Sequence, residues 1–195
     1  MNKEQKVKEA MSERELRFNL YITQAIIIAL SIFLSYMLFH DVTVLYLLFV
    51  WNPKEIIILG GGIACIIVLI DFAYTKLLPE EWLDDGGIND RIFRGISISH
   101  LFLLTLLIGT SEELLFRGIL QTKVGLVYAS IVFAVLHIRY LKKPFLFIFV
   151  LFISVVFGSL FLWTGNILVT IFAHFLVDFI MGLYVRKTGE GEEHV

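Results

Sequence analysis

Six ionisable residues lie within long apolar stretches of the sequence, where charge is otherwise scarce. In chain order they are Glu112, Glu113, Arg117, His137, His174 and Asp178. A carboxylate and a neutral imidazole can together activate a water molecule as a general base, and a second imidazole can donate a hydrogen bond to the oxyanion that develops on a carbonyl group. The same side chains can also ligate Zn²⁺. These residue types therefore predict hydrolysis of a peptide bond, driven either by a carboxylate with an imidazole or by a zinc ion.

The spacing of these residues assigns them different directions on a helix. Glu113 and Arg117 are four residues apart, so they lie on one face and can form an ion pair. Glu112 points about 100° away from Glu113, so it can face a cavity while its neighbour is paired. His174 and Asp178 are also four residues apart and share a face.

The composition restricts the class of protein that carries these residues. The chain has 195 residues, of which 58% are hydrophobic and 17% charged, and its mean hydropathy is +0.84. Soluble domains have about half apolar and a quarter charged residues, so the sequence predicts a polytopic membrane protein. We expect an all-α fold with the lipid bilayer as a partner. The formal net charge of −2 predicts no nucleic-acid partner.

The apolar stretches predict a bundle of about six transmembrane helices around a polar intramembrane cavity, since one helix needs roughly 20 apolar residues to cross. A shorter stretch at 42–50 is predicted to be interfacial or re-entrant. The predicted spans are 18–39, 56–74, 95–122, 126–137, 144–163 and 167–185.

The predicted turns place the ionisable residues at similar depth. At 1.5 Å per residue, Glu112 and His137 lie about 16 to 18 Å from the turn near Lys123, and His174 lies about 12 Å from the turn at Asn166. Six spans put both turns on the same side of the membrane. Three distant segments are therefore expected to converge on one intramembrane layer.

Lys and Arg are distributed unevenly between the two sides. The N-terminal tail, the 76–94 loop, the 139–143 loop and the C-terminal tail share one side and hold thirteen of the sixteen Lys and Arg residues. The positively charged side is cytoplasmic, so we expect a multi-pass protein of the cell membrane with both termini in the cytoplasm. Asp71, near the end of the second span, is interpreted as an interfacial residue.

The chain is predicted to divide into four segments. Residues 1–17 form a cytoplasmic N-terminal segment, and residues 18–94 hold two transmembrane helices with the interfacial piece and a polar loop. Residues 95–187 form a catalytic core of four membrane helices, and residues 188–195 form a polar tail.

At the ionisable residues the sequence resembles the CPBP family of intramembrane proteases, also called the Abi family, which includes the type II CAAX prenyl endopeptidases. The family pattern is E-E-x-x-x-R, then F-x-x-x-H, then H-x-x-x-N or H-x-x-x-D. The chain has EELLFR at 112–117, FAVLH at 133–137 and HFLVD at 174–178, in that order. The resemblance covers about residues 95–184.

The resemblance implies a role for each residue of the pattern. Glu112 is expected to act as the catalytic base with His137 on a water molecule, and His174 and the residue at position 178 are expected to stabilise the oxyanion. The supporting residues implied by the pattern are Glu113, Arg117 and Phe133. The implied substrate is a membrane-associated or lipidated peptide or protein.

Position 178 departs from the prenyl endopeptidases, which typically carry asparagine there. An ionised Asp178 accepts hydrogen bonds and cannot donate them. It could orient and charge His174, donate as a protonated acid, or ligate a metal. The preferred glutamate mechanism needs no cofactor, whereas a zinc-dependent variant would use as ligands Glu112, His137, His174 and Asp178.

Two alternatives from other classes stay open. A non-catalytic immunity or scaffold protein could bind a peptide or another membrane protein through the same cavity. A transporter has less support, because the sequence shows no internal repeat. No particular oligomeric state is predicted.

Overall fold

A computed structural model describes residues 11–40, 43–83 and 85–192. Within this part the backbone is helical apart from short connections, and it contains no strand, so the predicted all-α fold is confirmed. The predictions for residues 1–10 and 193–195, in the two terminal segments, lie outside it. The helices are α1 Glu13–Phe39, α2 Thr43–Leu47, α3 Pro53–Leu77, α4 Glu80–Leu83, α5 Ile88–Phe93, α6 Ile98–Glu113, α7 Thr122–Leu136, α8 Pro144–Thr164 and α9 Ile167–Glu192.

Five helical stretches of the described chain are long and apolar enough to cross a membrane. They are α1, α3, the continuous stretch Ile98–Leu136, α8 and the part of α9 up to Lys187. Many large apolar side chains on their outer faces are exposed, as expected for helices in contact with lipid. The protein is a polytopic helical bundle.

Five stretches stand against the six predicted spans because the third and fourth predicted spans follow each other without a loop, and the backbone between them leaves helical conformation at Gly125. This residue has φ +83° and ψ 170°, a conformation that favours glycine because it has no Cβ. A π-helical segment, Leu114–Gln121, connects α6 to α7. The part of α7 beyond Gly125 covers 126–136 and is only about 16 Å long.

One end of the bundle, which we call the loop end, collects the start of α1, the segment 78–97 between α3 and α6, and the segment 137–143 between α7 and α8. Arg17 Nη1 donates to the carbonyl oxygen of Ile92 at 3.3 Å. Arg139 Nη1 lies 3.7 Å from Asp85 Oδ2. The polar segments predicted to share one side of the membrane therefore contact one another.

The opposite end, which we call the hairpin end, collects the end of α1, the α2 segment, the bend at Gly125 and the turn between α8 and α9. Lys123 Nζ lies 4.4 Å from the centre of the Phe39 ring, and the Ile167 N–H donates to the carbonyl oxygen of Leu48 at 3.0 Å. The helix α2 falls in the stretch predicted to be interfacial. The chain thus passes six times between the two ends, with α7 as a short return.

Helix α9 is the most buried of the long helices, and two glycines bring its neighbours close to it. A Cβ on Gly60 of α3 would lie 2.7 Å from the carbonyl oxygen of Val169, and one on Gly109 of α6 would lie 3.1 Å from the backbone nitrogen of Phe175. Small residues allow this close approach of membrane helices. The contact at Gly109 sets the following turn of α6 beside the middle of α9.

Helix α1 is attached to α6 by a polar contact inside the bundle. Ser111 Oγ donates to Gln24 Oε1 at 2.6 Å, and both side chains are buried. Hydrogen bonds between membrane helices stabilise their association. The first helix therefore supports the part of α6 that precedes the glutamate pair.

Candidate active site

A cavity of about 480 Å³ lies among α3, α6, α8 and α9 and extends to the loop end. Its lining includes the four residues predicted to be catalytic and Phe133. Apolar side chains of α8 complete the wall. The four residues are Glu112, His137, His174 and Asp178.

Glu113 lies behind the cavity wall in a fully buried ion pair. Its Oε2 accepts from Arg117 Nε at 3.1 Å, and both side chains have 0% exposure. Arg117 Nη2 also donates to Ser154 Oγ of α8 at 3.1 Å, and its guanidinium lies 5.4 Å from the centre of the Phe133 ring. A buried pair needs such additional partners, because removing either charge from water is costly.

His174 is positioned by the second oxygen of the same glutamate. Its Nδ1 lies 3.0 Å from Glu113 Oε1. The Glu113 carboxylate is ion-paired with Arg117 and therefore accepts this hydrogen bond, so Nδ1 of His174 carries the proton. Nε2 then faces Asp178 Oδ2 at 3.6 Å. Phe157 packs against the imidazole, with ring centres 5.3 Å apart. The ring is thus fixed between two carboxylates, with one edge toward the cavity.

His137 ends α7 and is oriented by its own backbone. Its Nδ1 lies 2.8 Å from the carbonyl oxygen of Phe133, and because a carbonyl can only accept, this nitrogen carries the proton. The ring packs between Phe133, at 4.5 Å between centres, and Tyr140, at 6.0 Å. Nε2 therefore has a free lone pair, which is the form that a general base requires.

Glu112 is half-buried and lines the cavity, while its neighbour Glu113 points away from it. Within the described residues no hydrogen bond joins Glu112 to His137. Both side chains are available to a molecule that enters the cavity between them. The two glutamates therefore differ as the helical spacing predicts.

Polar residues form a network where the cavity reaches the loop end. Arg139 Nη2 donates to Asn89 Oδ1 at 3.2 Å and to the Tyr140 hydroxyl at 3.3 Å. Asp85 Oδ1 accepts from the backbone N–H of Ile88 at 3.2 Å. Burial raises the pKa of the Tyr140 phenol above its usual range, so this ring against His137 stays uncharged.

Comparison with known proteins identifies the chain. The model of the family described as "Type II CAAX prenyl endopeptidase Rce1-like" matches residues 94–180. A Bacillus subtilis (strain 168) relative named "Uncharacterized protein YpbD" is 43% identical over 178 residues, which cover 89% of this chain and 94% of the relative. The chain belongs to the Rce1-like family. No solved structure matches it.

The Rce1-like match contains every motif residue named above, from Glu112 to Asp178, and confirms the resemblance stated from the three motifs. The matched region runs from the start of α6 into α9. Membership of the Rce1-like family makes this chain a multi-pass membrane protein of a protease family.

The arrangement of the cavity side chains bears on the alternative of a zinc site. Among the residues that the structure describes, no group of three or more His, Cys, Asp and Glu side chains is arranged to hold a metal ion. His174 Nδ1 is already bonded to Glu113, and Nε2 faces Asp178. The four proposed zinc ligands line one cavity but do not form a ready coordination sphere in this Rce1-like chain.

Sequence reasoning missed three residues of this site. Ser154 binds Arg117, and Tyr140 packs on His137. Asp71, interpreted from the sequence as interfacial, is half-buried and lines the cavity. For Asp71 the sequence offered a signal, namely a carboxylate inside an apolar span. For Ser154 and Tyr140 it offered no signal, because serine is common within membrane helices and tyrosine is common at their ends.

Proposed function

We propose that this Rce1-like protein is an intramembrane endopeptidase that hydrolyses a peptide bond of a membrane-associated or lipidated substrate. One observation carries the proposal: Glu112, His137, His174 and Asp178, from three separate segments, line a single cavity within the helical bundle. Ionisable groups in such a position are expensive and mark function.

In the proposed reaction, Glu112 and His137 activate one water molecule. The water oxygen attacks the carbonyl carbon of the scissile peptide as its proton passes to Glu112 or to Nε2 of His137. The carbonyl oxygen becomes an oxyanion in the tetrahedral intermediate. The same proton then passes to the amide nitrogen and the carbon–nitrogen bond breaks, which leaves a carboxylic acid and an amine. The second water proton then passes from the acid to the amine, so that the products leave as a carboxylate and an ammonium group.

The oxyanion is proposed to lie against Nε2 of His174. Glu113 fixes the ring through Nδ1, and Asp178 beside Nε2 favours a proton on that nitrogen. A donor held in place before the reaction stabilises developing charge without reorganisation. Asp178 thus orients and charges His174 and does not itself donate to the oxyanion.

The proposed mechanism requires no metal. The zinc-dependent alternative would first need Glu112, His137, His174 and Asp178 to rearrange, because these four side chains do not form a coordination sphere in the structure.

The proposal is tested by incubating the purified protein in detergent with a peptide library. We expect cleavage by the wild type and a loss of about 10²-fold or more in Glu112→Gln, with little change in melting temperature. Glu81→Gln removes an exposed carboxylate outside the cavity and serves as the matched control.

Three outcomes would contradict the proposal. Equal cleavage by Glu112→Gln would refute the role of this residue. Loss of activity with a chelator and recovery with Zn²⁺ would favour the metal-dependent alternative. Peptide binding without cleavage by the wild type would favour a non-catalytic binding protein.

A further inference from the structure

Asp71 is a carboxylate on a membrane-spanning helix that the proposed reaction does not use. Ile67, Asp71 and Thr75 follow one another at four-residue intervals, and all three line the catalytic cavity. One face of α3 therefore forms a cavity wall. The Asp71 carboxylate has no hydrogen bond or ion pair with any described residue, although charge in a membrane helix is costly unless it has a partner.

The other carboxylates of the cavity have partners or assigned roles. Asp85 pairs with Arg139, and Asp90 pairs with Arg94. The remaining carboxylates belong to the proposed catalytic groups. Among the cavity carboxylates that the structure describes, Asp71 therefore has neither an ion-pair partner nor a proposed catalytic role.

The depth of Asp71 follows from the packing of α3 on α9. The two helices run in the same direction from the hairpin end to the loop end. Gly60 lies against Val169, and further along Phe72 packs on Tyr184 with ring centres 5.1 Å apart. The contacts are 12 residues apart on α3 and 15 residues apart on α9. The register thus shifts by three residues, about 4.5 Å, and depth along one helix can be read from the other to within one turn.

This register places Asp71 about two turns of α9, roughly 11 Å, beyond His174 toward the loop end. An extended peptide advances about 3.3 Å per residue. A substrate whose scissile carbonyl lies at His174 would therefore bring the third or fourth residue from the cleaved bond to the level of Asp71.

Apolar side chains line the cavity on the helices that pack beside α3, together with polar groups such as Thr75 and Asn89. Tyr74, one turn further along α3, packs on Phe149 of α8 with ring centres 4.8 Å apart. Phe149, Leu146 and Met181 all line the same cavity. Apolar walls with one carboxylate suit a side chain that has a methylene stem and a cationic tip.

We propose that Asp71 is a specificity-determining residue that binds a Lys or Arg side chain of the substrate, three or four residues from the scissile bond. This inference rests on the proposed endopeptidase function and adds the chemical class of substrate. The ammonium or guanidinium group would form the ion pair that the protein itself does not provide.

The test compares matched peptides in which lysine or acetyl-lysine occupies each position within five residues of the cleaved bond. We expect the wild type to cleave the lysine peptide with a kcat/KM about tenfold higher at one position three or four residues away, as for one charged hydrogen bond. Asp71→Asn should reduce this ratio to near one, mainly through KM, and Asp71→Lys should reverse it in favour of a glutamate peptide.

Asp90→Asn is the matched control, because it removes an equal charge from the cavity lining. In the wild type the Asp90 carboxylate already pairs with Arg94, so it does not need a substrate cation as a partner. The Asp90→Asn protein should retain the lysine preference. An unchanged preference in Asp71→Asn, or none in the wild type, would overturn the inference.

A binding measurement separates this inference from the proposed function. Affinities of the lysine and acetyl-lysine peptides are measured for the Glu112→Gln protein and for the same protein with Asp71→Asn. Suppose that the wild type cleaves no peptide, and that the Glu112→Gln protein binds the lysine peptide more tightly only when Asp71 is present. That result would support the subsite and refute the peptidase function. Cleavage without any preference would refute the subsite alone.

Discussion

Glu112 and Glu113 are adjacent in the chain and differ in nearly every physical respect. Glu113 is fully buried and binds Arg117 and His174, whereas Glu112 is half-buried and faces the cavity. One step along a helix turns a side chain by about 100°, and that rotation places one carboxylate in a buried ion pair and the other at the cavity. The two residues should therefore respond differently to the same substitution.

Glu113→Gln is expected to lower the free energy of unfolding by about 3 kcal/mol or more, because Arg117 is left as a buried charge without its counterion. Replacing both members, as in Glu113→Gln with Arg117→Met, should recover a large part of that loss. Thermal unfolding of the purified proteins in detergent measures both effects.

Glu112→Gln is the control for this comparison, since it should leave the melting temperature nearly unchanged. If the losses from Glu113→Gln and Arg117→Met simply add in the double variant, the two side chains are not coupled.

The helices show what the pattern of apolar residues can and cannot predict. The alternation of apolar stretches with charged loops predicted six spans, whereas five stretches of the described chain are long and apolar enough to cross a membrane. The fourth predicted span is the short return of α7. The pattern could not predict the π-helical segment Leu114–Gln121, because α- and π-helices differ little in apolar pattern over two turns, and packing against neighbouring helices selects between them. It did predict a turn near Lys123, and the backbone departs from helical conformation at Gly125.

Gly125→Ala is expected to destabilise the protein by about 1 kcal/mol or more, since φ +83° is strained for any residue with a Cβ. The position has open space around it, so strain and not a clash is the cause. The change is measured by thermal unfolding in detergent.

Gly62→Ala is the matched control, because Gly62 also has open space but lies within the helical part of α3. It should be neutral or slightly stabilising, as alanine favours helices over glycine. Equal losses in the two variants would refute an origin in the backbone conformation.

At the scale of the molecule, the sequence predicted the site better than its surroundings. The ionisable residues that the motifs contribute to the cavity lining are Glu112, His137, His174 and Asp178, and they were found because ionisable groups stand out in apolar helices. The roles of Ser154 and Asp71 depend on which helices become neighbours. Such neighbours are set by close contacts like the one at Gly109, which a single sequence does not reveal.

The charge distribution leads to a proposed orientation with the loop end in the cytoplasm. The N-terminal tail, the 76–94 loop, the 139–143 loop and the C-terminal tail carry thirteen of the sixteen Lys and Arg residues, and positive loops remain cytoplasmic. In a Cys65→Ser background, a cysteine at exposed Glu81 of the loop end should resist an impermeant maleimide on intact bacterial cells. A cysteine at exposed Lys54, near the hairpin end, should react.

Membrane disruption is the control for this labelling, because it should make the cysteine at position 81 reactive. Labelling of position 81 and protection of position 54 on intact cells would reverse the proposed orientation.

The short return of α7 has a consequence for the bilayer itself. Its eleven residues beyond Gly125 cover about 16 Å, roughly half the thickness of the hydrocarbon layer. Its outward side chains, such as Val127 and Tyr128, are exposed and apolar enough to contact lipid. Hydrophobic mismatch of this kind is relieved when the surrounding lipids thin locally and headgroups sink toward the protein. This local thinning of the bilayer would occur beside His137, where α7 ends. The fold would thereby bring headgroups and their hydration water down to the proposed catalytic layer, which a bilayer of full thickness would keep dry.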